Sequence, residues 1–444
     1  MPSQRVQREI DRYVARTPGS RKLQEEAARF LPGGTTRAVH YQDPHPAFAD
    51  RGEGNYVYDI DGNRYLDFMI NATSLILGHA HPEIVRALQE QAARGTAFSG
   101  PTMSQIRVAQ TICERVPSVD TVRFTNSGTE GTLMAVRAAR AFTGRPKIAK
   151  FEGGYHGAHE YVEVSVRPAG DKLDPEGPTP IPEYPGQPQA LLDDVIVLPY
   201  NDLEESERRI RSQAGQIACV IMEAVASAFG YLPARPDFLE GIRDLTDELG
   251  IMLIFDEVQS FRVAPGGAQE RFGVTPDLTA FGKIIGGGMP VGAFGGRRDI
   301  MALFDPSDGG AAITHSGTFN ANPMTMVAGE VTLDHLTPDV LDRMDDLGDM
   351  ARAKLRAVFD ELDVPAQVTG VASLFGIHFN ADEITDYRST LRSDSDMTSA
   401  FFMGMINEGV LLQSRCAGAL SVLSTEQEID TLVDATRTVV QRIR

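Results

Sequence analysis

The chain contains 444 residues, of which 42% are hydrophobic and 23% are charged, and its formal net charge is -19. This length exceeds that of one small domain and predicts a large α/β domain together with a smaller one. The composition excludes fibrous and disordered proteins, and the excess of negative charge is unfavourable for binding nucleic acid or an anionic membrane surface.

Targeting signals and reactive cysteines are both missing from the sequence pattern. Residues 1–10 lack the apolar stretch of a signal peptide, and no later run approaches the roughly 20 apolar residues of a membrane helix. We therefore expect a cytoplasmic protein that does not enter a membrane. Cys113, Cys219 and Cys416 are far apart and lack CxxC spacing, so we interpret them as small buried side chains.

The first elements along the chain are a helix and a hairpin. Helical periodicity predicts a helix over 20–31, capped by Ser20 and ended by a Pro-Gly-Gly turn, after which a glycine-rich loop contains Arg37. Alternating apolar and polar residues predict a β-hairpin over 55–68, with its turn at 61–64. We assign residues 1–74 to the N-terminal helix and part of a small domain.

Strands then alternate with helices, which is typical of a parallel sheet covered on both faces. This pattern predicts a large domain over 75–333, with a proline-rich surface loop at 171–189. The clearest predicted strands are Thr121 to Thr125, Lys147 to Phe151, Val195 to Pro199, Ile217 to Met222 and Ile251 to Phe255.

The C-terminal part of the chain contains a second α/β pattern. We predict a strand over 374–379, a helix over 399–408, a strand over 410–412 and a terminal helix that opens at 424–427. Residues 334–444 are therefore the C-terminal part of the small domain, which both chain ends build.

A turn at 124–130 ends one strand and opens a helix over 131–142. Backbone N–H groups at a helix start bind anions, and Ser127 and Thr129 add hydroxyl donors, so the turn is a candidate phosphate site. A Ser-Gly-Thr turn is also a common plain helix cap, and the motifs that follow decide between the two interpretations.

A glycine-rich loop after the next strand holds Tyr155 and His156. An aromatic ring in this position can stack on a flat heterocycle. It is equally compatible with a surface tyrosine on a flexible loop.

An acidic strand end and a lysine complete the pattern. Asp256 directly follows the strand 251–255, and Lys283 lies in a glycine-rich turn among apolar neighbours. A carboxylate can hold the pyridine nitrogen of pyridoxal phosphate protonated, while a desolvated lysine can form the Schiff base and move the proton. The pair indicates a pyridoxal phosphate enzyme.

The acidic strand also matches the Walker B pattern of nucleotide hydrolases. A Walker A loop would need Ser or Thr after Gly282-Lys283, where Ile284 stands instead. We therefore reject an ATPase.

His79 and His81 form a His-x-His pair that is compatible with a metal ligand set. No third ligand has matching spacing, and Pro82 follows as at the start of a helix. We predict no metal site.

Seven motifs in this order resemble the class III pyridoxal phosphate-dependent aminotransferases, along nearly the whole chain. The closest branch contains glutamate-1-semialdehyde aminomutase and the β-amino acid aminotransferases. The motifs are Leu31-Pro32-Gly33-Gly34, Gly78-His79-Ala80-His81-Pro82, Asn126-Ser127-Gly128-Thr129-Glu130, Phe151-Glu152-Gly153-Gly154-Tyr155-His156-Gly157, Phe255-Asp256-Glu257-Val258, the segment 281–293, and Gly317-Thr318-Phe319-Asn320-Ala321-Asn322-Pro323.

The resemblance implies fold type I, with a mostly parallel seven-stranded sheet in the large domain and a smaller α/β domain. It also implies a homodimer with shared active sites. Lys283 would hold the cofactor and act as base and acid of the proton shift, and Asp256 would pair with the pyridinium nitrogen. Val258 and Tyr155 would pack on the two ring faces, with His156 beside them.

The same resemblance implies the remaining contacts of the cofactor. Ser127, Gly128 and Thr129 would bind its phosphate, and Thr318 of the neighbouring subunit would complete that site. Glu223 matches an acidic residue that follows the preceding strand in this family, near the cofactor.

Two segments distinguish the chain from the aminomutase pattern. The stretch 409–418 contains Arg415, where the aminomutase pattern has Gln-Phe-Glu, and 227–230 differs from its Gly-Asn-Met-Gly. Arginine binds carboxylates through two parallel hydrogen bonds. By resemblance to β-phenylalanine aminotransferases, Arg37 would hold the carboxylate of the donor and Arg415 the α-carboxylate of the acceptor, although each is also compatible with a surface ion pair.

The sequence therefore predicts an aminotransferase that works in two half-reactions. The expected donor is an aromatic β-amino acid such as β-phenylalanine, and the acceptor is 2-oxoglutarate or pyruvate. Glutamate-1-semialdehyde 2,1-aminomutase, which needs no keto acid, is the alternative. A catalytically inactive binding protein of the same fold is disfavoured by the presence of Lys283 and Asp256.

Overall fold

The computed structural model describes residues 2–307 and 310–444. The chain divides into two compact units. The first comprises the chain up to Pro82 together with Met344–Glu383 and Arg392–Arg444, and the second comprises Glu83–Arg343 and Ile384–Leu391. The main part of the second unit begins at residue 83 and ends at residue 343, compared with 75 and 333 in the prediction. The sequence did not predict that Ile384–Leu391 belongs to this unit. Within the described ranges, no helix is both long and apolar enough to cross a membrane.

The α-helices of the described residues follow in chain order. They are α1 (Gln4–Arg16), α2 (Pro18–Ala27), α3 (Ile70–Thr73), α4 (Pro82–Arg94), α5 (Met103–Arg115), α6 (Gly128–Thr143), α7 (Gln189–Leu192), α8 (Leu203–Ser212), α9 (Pro236–Leu249), α10 (Ala268–Phe272), α11 (Arg298–Met301), α12 (Pro323–His335), α13 (Pro338–Glu361), α14 (Tyr387–Thr390), α15 (Ser395–Asn407) and α16 (Glu426–Ile443).

The strands are named in the same way. They are β1 (Ala49–Glu53), β2 (Tyr56–Asp59), β3 (Arg64–Asp67), β4 (Thr121–Thr125), β5 (Lys147–Phe151), β6 (Val195–Leu198), β7 (Ile217–Met222), β8 (Val225–Ala226), β9 (Leu232–Pro233), β10 (Met252–Asp256), β11 (Leu278–Gly282), β12 (Gly292–Gly296), β13 (Gln367–Thr369), β14 (Leu374–His378), β15 (Val410–Leu411) and β16 (Ala417–Ala419).

The second unit contains a seven-stranded sheet in the order β4-β12-β11-β10-β7-β5-β6. Only β12 runs antiparallel to its neighbours within this sheet, and the pairs from β11 to β6 are parallel. Every residue of β6, β7 and β10 is buried, as expected for parallel strands whose two faces are both covered. The predicted fold, a mostly parallel seven-stranded α/β sheet, is confirmed.

The predicted strands agree closely with the observed ones. β4, β5 and β7 have the predicted bounds, and β6 ends one residue early. β10 is shifted by one residue toward the C-terminus, so that Asp256 is its last residue and does not lie in the loop beyond it.

The first unit contains a four-stranded sheet, β1-β2-β3-β15, and a three-stranded sheet, β13-β14-β16. β2 and β3 form the predicted hairpin, and β15 from the C-terminal region pairs in parallel with β3. One hydrophobic core includes Val6 near the N-terminus, Phe375 in β14 and Val439 in α16. Both chain ends therefore contribute to this unit.

Three local predictions were wrong. The N-terminal region forms two helices, and α2 begins at Pro18, because proline is well suited to the first helical position. Ser20 therefore lies inside α2, where its hydroxyl donates to Asp61 and does not cap the helix.

The helix after the turn at 124–127 begins at Gly128 and not at residue 131, with Ser127 as its cap. Cys113 is only partly buried, whereas Cys219 and Cys416 are buried as predicted.

Candidate active site

Four buried carboxylates lie at the C-terminal edge of the seven-stranded sheet. Glu257 accepts the N–H groups of Ala268 and Gln269, and the other three lie at the ends of neighbouring strands. Asp256 ends β10, Glu223 follows β7 and Glu152 follows β5, and all three are at most 6% exposed. Side chains two positions apart in a strand share one face, so strand pairing places the three carboxylates in a row on one face. The paired residues two positions earlier are Ile254, Ile221 and Lys150.

Asp256 is held from two sides. Its Oδ2 lies 2.9 Å from Nδ1 of His156, and its Oδ1 accepts the N–H of Val258 at 3.0 Å. Burial lowers the pKa of His156, although the hydrogen bond to Asp256 opposes this effect. A neutral imidazole that donates from Nδ1 therefore orients the carboxylate.

The carboxyl group of Glu223 is only partly compensated. Its Oε2 is buried and has no hydrogen-bond partner among the described residues. Burial and the negative charge of Asp256 raise the pKa of Glu223 to about 8, against smaller opposing effects of hydrogen bonds from Ser227 and of the positive charge of Lys283. Glu223 is thus a neutral acid at neutral pH, beside an oriented carboxylate.

Glu152 is paired with Arg388. The Nε of Arg388 donates to Oε2 of Glu152 at 2.6 Å, and its Nη2 donates to Oε1 at 3.0 Å. Such a bidentate pair offsets the cost of burying the carboxylate charge.

Two lysines lie in this region, and their surroundings differ. Lys150 is fully buried in β5, where its Nζ donates to the carbonyl of Val164 at 2.6 Å, and burial lowers its pKa to about 7. Lys283 is only partly buried, in the turn after β11, and its neighbours Phe281 and Ile284 are buried. Lys283 is therefore the accessible amine of the pair.

The backbone at Lys283 adopts a left-handed conformation, with φ of 51°. A residue other than glycine rarely takes this conformation, which costs on the order of 1–3 kcal/mol and is found preferentially at functional sites. Lys283 opens a 3-10 turn that ends at Gly286, directly after the last residue of β11.

The candidate phosphate site is the first turn of α6. Ser127 caps this helix, and its hydroxyl accepts the N–H of Glu130 at 3.2 Å. Glu130 in turn accepts the N–H of Asn126 at 2.8 Å, and Thr129 accepts the N–H of Ala158 at 3.1 Å. These contacts fix the turn with the positive end of the helix dipole at the sheet edge.

Val258 joins the phosphate turn to the lysine turn. A Cβ atom added to Gly128 would lie 2.9 Å from Cγ2 of Val258, and one added to Gly282 would lie 3.2 Å from its Cγ1. The glycines allow this close approach, so the anion-binding turn, the carboxylate strand and the lysine meet within the second unit. This donor set fits pyridoxal phosphate.

Tyr155 and Thr318 are more exposed than the groups described above. Tyr155 is 42% exposed on its loop, and Thr318 is exposed on a loop before α12. The Thr318 loop is tied to the phosphate turn, because the side-chain amide of Asn126 donates to Oδ1 of Asn320 at 2.8 Å.

Both candidate substrate arginines, Arg37 and Arg415, belong to the first unit. Arg37 is exposed, and its Nη1 donates to Oδ1 of Asn71 at 2.7 Å. Arg415 is partly buried in the turn after β15, with Nη2 at 3.4 Å from Oε1 of Gln413. In both of these hydrogen bonds, the acceptor of the guanidinium is the oxygen of a neutral side-chain amide.

The turn that holds Asn71 is left-handed. All four residues of α3, from Ile70 to Thr73, have positive φ angles between 37° and 74°. Oδ1 of Asp67 accepts the N–H groups of Met69 and Ile70, both at 2.9 Å, and so anchors the start of this turn.

His79, the first residue of the His-x-His pair, contacts a carboxylate that has a structural role. Nε2 of His79 lies 2.8 Å from Oδ2 of Asp67, the same residue that anchors the left-handed turn, and α4 begins at Pro82 as predicted. No cluster of three or more His, Cys, Asp or Glu side chains able to hold a metal ion occurs in residues 2–307 and 310–444.

Sequence reasoning missed Glu152, Lys150 and Arg388. A lysine between the apolar residues Ala149 and Phe151 of a predicted buried strand was a usable signal for Lys150. Arg388 is separated from Glu152 by 236 positions, and no local pattern marks it.

Residues 37–434 match the aminotransferase class-III family. A glutamate-1-semialdehyde 2,1-aminomutase of Methanothermobacter thermautotrophicus is 41% identical over 429 residues, which cover 96% of this chain and 99% of that protein. The solved structure of an omega-transaminase from Sphaerobacter thermophilus is 45% identical, with a TM-score of 0.93, and the match covers 97% of this chain and 99% of that one. A β-phenylalanine aminotransferase from Variovorax paradoxus is 37% identical, with a TM-score of 0.90 and coverage of 99% and 97%.

Proposed function

The chain belongs to the class III aminotransferases, which are pyridoxal phosphate-dependent enzymes, and from this premise we propose that it transfers an amino group from a β-amino acid to a keto acid. The observation that carries the proposal is the stretch 409–418, which contains Arg415 and lacks the acidic residue of the aminomutase pattern. The likeness to an omega-transaminase and a β-phenylalanine aminotransferase supports it.

Bound pyridoxal phosphate supplies an electron sink that makes the amino-bearing carbon of a substrate acidic. Nζ of Lys283 holds the cofactor and later removes and returns the proton at that carbon. Asp256, oriented by His156, supplies the negative charge for the ring nitrogen. The first turn of α6, with Ser127 and Thr129, binds the phosphate.

Two arginines give the proposed enzyme its two substrates in turn. Arg37, directed by Asn71, binds the carboxylate of the β-amino acid. Arg415 binds the α-carboxylate of 2-oxoglutarate or pyruvate. Because a planar guanidinium donates two parallel hydrogen bonds to a carboxylate, each arginine orients its substrate as well as binding it.

The shared active site is part of this proposal. Thr318 is exposed in the isolated chain, and in a homodimer it would contribute to the phosphate site of the neighbouring subunit.

An aminomutase that converts glutamate-1-semialdehyde within one molecule is the second candidate. The 41% identity to the Methanothermobacter protein over nearly the whole chain favours it. The two reactions differ in one requirement, because only the transaminase consumes a keto acid.

The deciding experiment records the visible spectrum of the holoenzyme during three additions. We expect β-phenylalanine alone to convert the cofactor to its amino form, and 2-oxoglutarate to restore the original band. Glutamate-1-semialdehyde is added to a separate sample. Turnover of the semialdehyde with no response to β-phenylalanine would show that the enzyme is an aminomutase.

Arg415→Ala tests the assignment of the acceptor. We expect the half-reaction with β-phenylalanine to persist, while kcat/KM for 2-oxoglutarate falls by about tenfold or more, as for a lost charge-assisted hydrogen bond. Arg392→Gln, which changes an exposed arginine, is the matched control. Full activity of Arg415→Ala toward 2-oxoglutarate would contradict the assignment.

A further inference from the structure

The segment Ile384–Leu391 belongs to the second unit, although the residues on both sides of it belong to the first. It contains the short helix α14, whose N-cap Asp386 accepts the N–H of Ser389 at 2.7 Å in a capping box. The main chain of the segment is also held, because the amide of Asn201 donates to the carbonyl of Thr385 at 2.9 Å. The segment is therefore an ordered clamp and not a loose connection.

Arg388 attaches this clamp to the loop that bears Tyr155 and His156. Besides its two hydrogen bonds to Glu152, it donates from Nη1 to the carbonyl of Asp174 at 2.8 Å. The side chain of Glu152 is 4% exposed and that of Arg388 is 28% exposed. Removing the arginine would leave a buried carboxylate without its cation at the base of the loop.

Tyr387 packs against the same loop from the neighbouring position. A Cβ atom added to Gly153 would lie 2.3 Å from Cδ2 of Tyr387 and 2.6 Å from a ring carbon of Phe229. The Tyr387 hydroxyl donates to the carbonyl of Pro168 at 2.9 Å, and its ring lies 5.9 Å from that of Phe229. The loop is thus packed at Gly153 and ion-paired at Glu152, just before Tyr155.

We propose that Ile384–Leu391 positions the loop 152–157 on the cofactor, with Arg388 and Tyr387 as positioning residues that act through Tyr155 and His156. This inference rests on the proposed placement of the cofactor against Tyr155 and Asp256. The proposal adds to the site a positioning segment from a distant part of the sequence, and this segment contacts no reacting atom.

The test measures binding of pyridoxal phosphate to the apoprotein and the visible circular dichroism of the bound cofactor. Neither readout needs a substrate, so the result is independent of whether the donor is a β-amino acid. We expect Arg388→Gln to raise the dissociation constant of the cofactor by about tenfold and to weaken its dichroism, as for one lost charge-assisted pair. Arg392→Gln, the exposed arginine outside the segment, should leave both unchanged.

A double-mutant cycle separates positioning from general stability. In a Tyr155→Ala background, the effect of Arg388→Gln on cofactor affinity should shrink, because one of the two residues through which the clamp acts is gone. Equal effects in both backgrounds would overturn the proposal. So would a variant that melts at a lower temperature but keeps wild-type affinity and dichroism.

Two milder variants keep the proposal testable if Arg388→Gln does not fold. Arg388→Lys retains the charge without the bidentate geometry, and Tyr387→Phe removes only the hydrogen bond to Pro168. We expect both to weaken the dichroism of the bound cofactor, with the larger effect for Arg388→Lys. Wild-type dichroism in both folded variants would refute the positioning role.

Discussion

At the scale of single residues, three carboxylates of the sheet edge differ in how their charges are compensated. Glu152 has the guanidinium of Arg388, and Asp256 has the imidazole of His156. For Glu223, the hydrogen bonds from Ser227 and the charge of Lys283 offset only part of the effect of burial and of the charge of Asp256. Glu223 therefore keeps its proton at neutral pH beside Asp256, as expected when like charges share a site.

This arrangement predicts a pH dependence of stability. Since the pKa of Glu223 is raised from an ordinary 4.5 to about 8, the folded protein binds more protons than the unfolded chain between these values. Stability is therefore lost as pH rises through this window. We expect Glu223→Gln to flatten the fall in melting temperature of the apoprotein between about pH 5 and pH 8.

The control for this measurement is Glu26→Gln, which changes an exposed carboxylate on α2. It should retain the wild-type pH profile. An unchanged profile in Glu223→Gln would mean that Glu223 is ionised in the folded protein.

At the scale of elements, the site depends on the close approach of α6 to the strand end that bears Val258. We expect Gly128→Ala to weaken cofactor binding by about tenfold or more, because its Cβ would lie 2.9 Å from Cγ2 of Val258 and would displace the first turn of α6. Equilibrium dialysis of pyridoxal phosphate measures the effect.

Gly100→Ala is the matched control, because a Cβ atom there meets no other atom within 4 Å. It should bind the cofactor as the wild type does. If Gly128→Ala also does so, α6 can shift without cost and the phosphate turn is not built around this contact.

The left-handed turn of α3 is a second element with a conformational cost. Ile70 and Thr73 are β-branched, and both have positive φ angles. The hydrogen bonds from Met69 and Ile70 to Asp67 help to hold the turn, and its Asn71 directs Arg37. Asn71 itself has a positive φ angle, so backbone strain occurs at the residue that orients Arg37, the proposed ligand of the donor carboxylate.

At the scale of the whole molecule, the proposed dimer predicts complementation between two inactive variants. Lys283→Ala removes the catalytic amine of its own site, and Thr318→Glu places a negative charge in the phosphate site of the partner. A mixed dimer has one site with both changes and one site with neither. Mixing equal amounts should therefore restore roughly a quarter of wild-type activity, from random pairing in a two-fold dimer.

The control mixes each variant with itself through the same unfolding and refolding steps, which should restore no activity. Absence of activity in the mixed sample, with heterodimers verified by mass, would show that Thr318 serves its own subunit or no site.

The sequence alone determined several strands of the seven-stranded sheet and the order of the motifs. β4, β5 and β7 were predicted residue by residue, because alternating or continuous apolar side chains between turn residues are local signals. The same local patterns place Asp256, Lys283 and the candidate phosphate turn at the ends of strands and helices. The sequence could therefore predict a pyridoxal phosphate enzyme before the fold was known.

Tertiary structure decided what pairs with these groups. The strand order β4-β12-β11-β10-β7-β5-β6 places Glu223 between Asp256 and Glu152. Arg388 reaches Glu152 only because the fold brings together two residues that are 236 positions apart. The same holds for Ser20, a cap by pattern that donates to Asp61 of the hairpin turn. Such contacts depend on residues far apart in the chain, whose proximity follows from packing the whole unit, whereas periodicity and capping depend only on neighbours within a few positions.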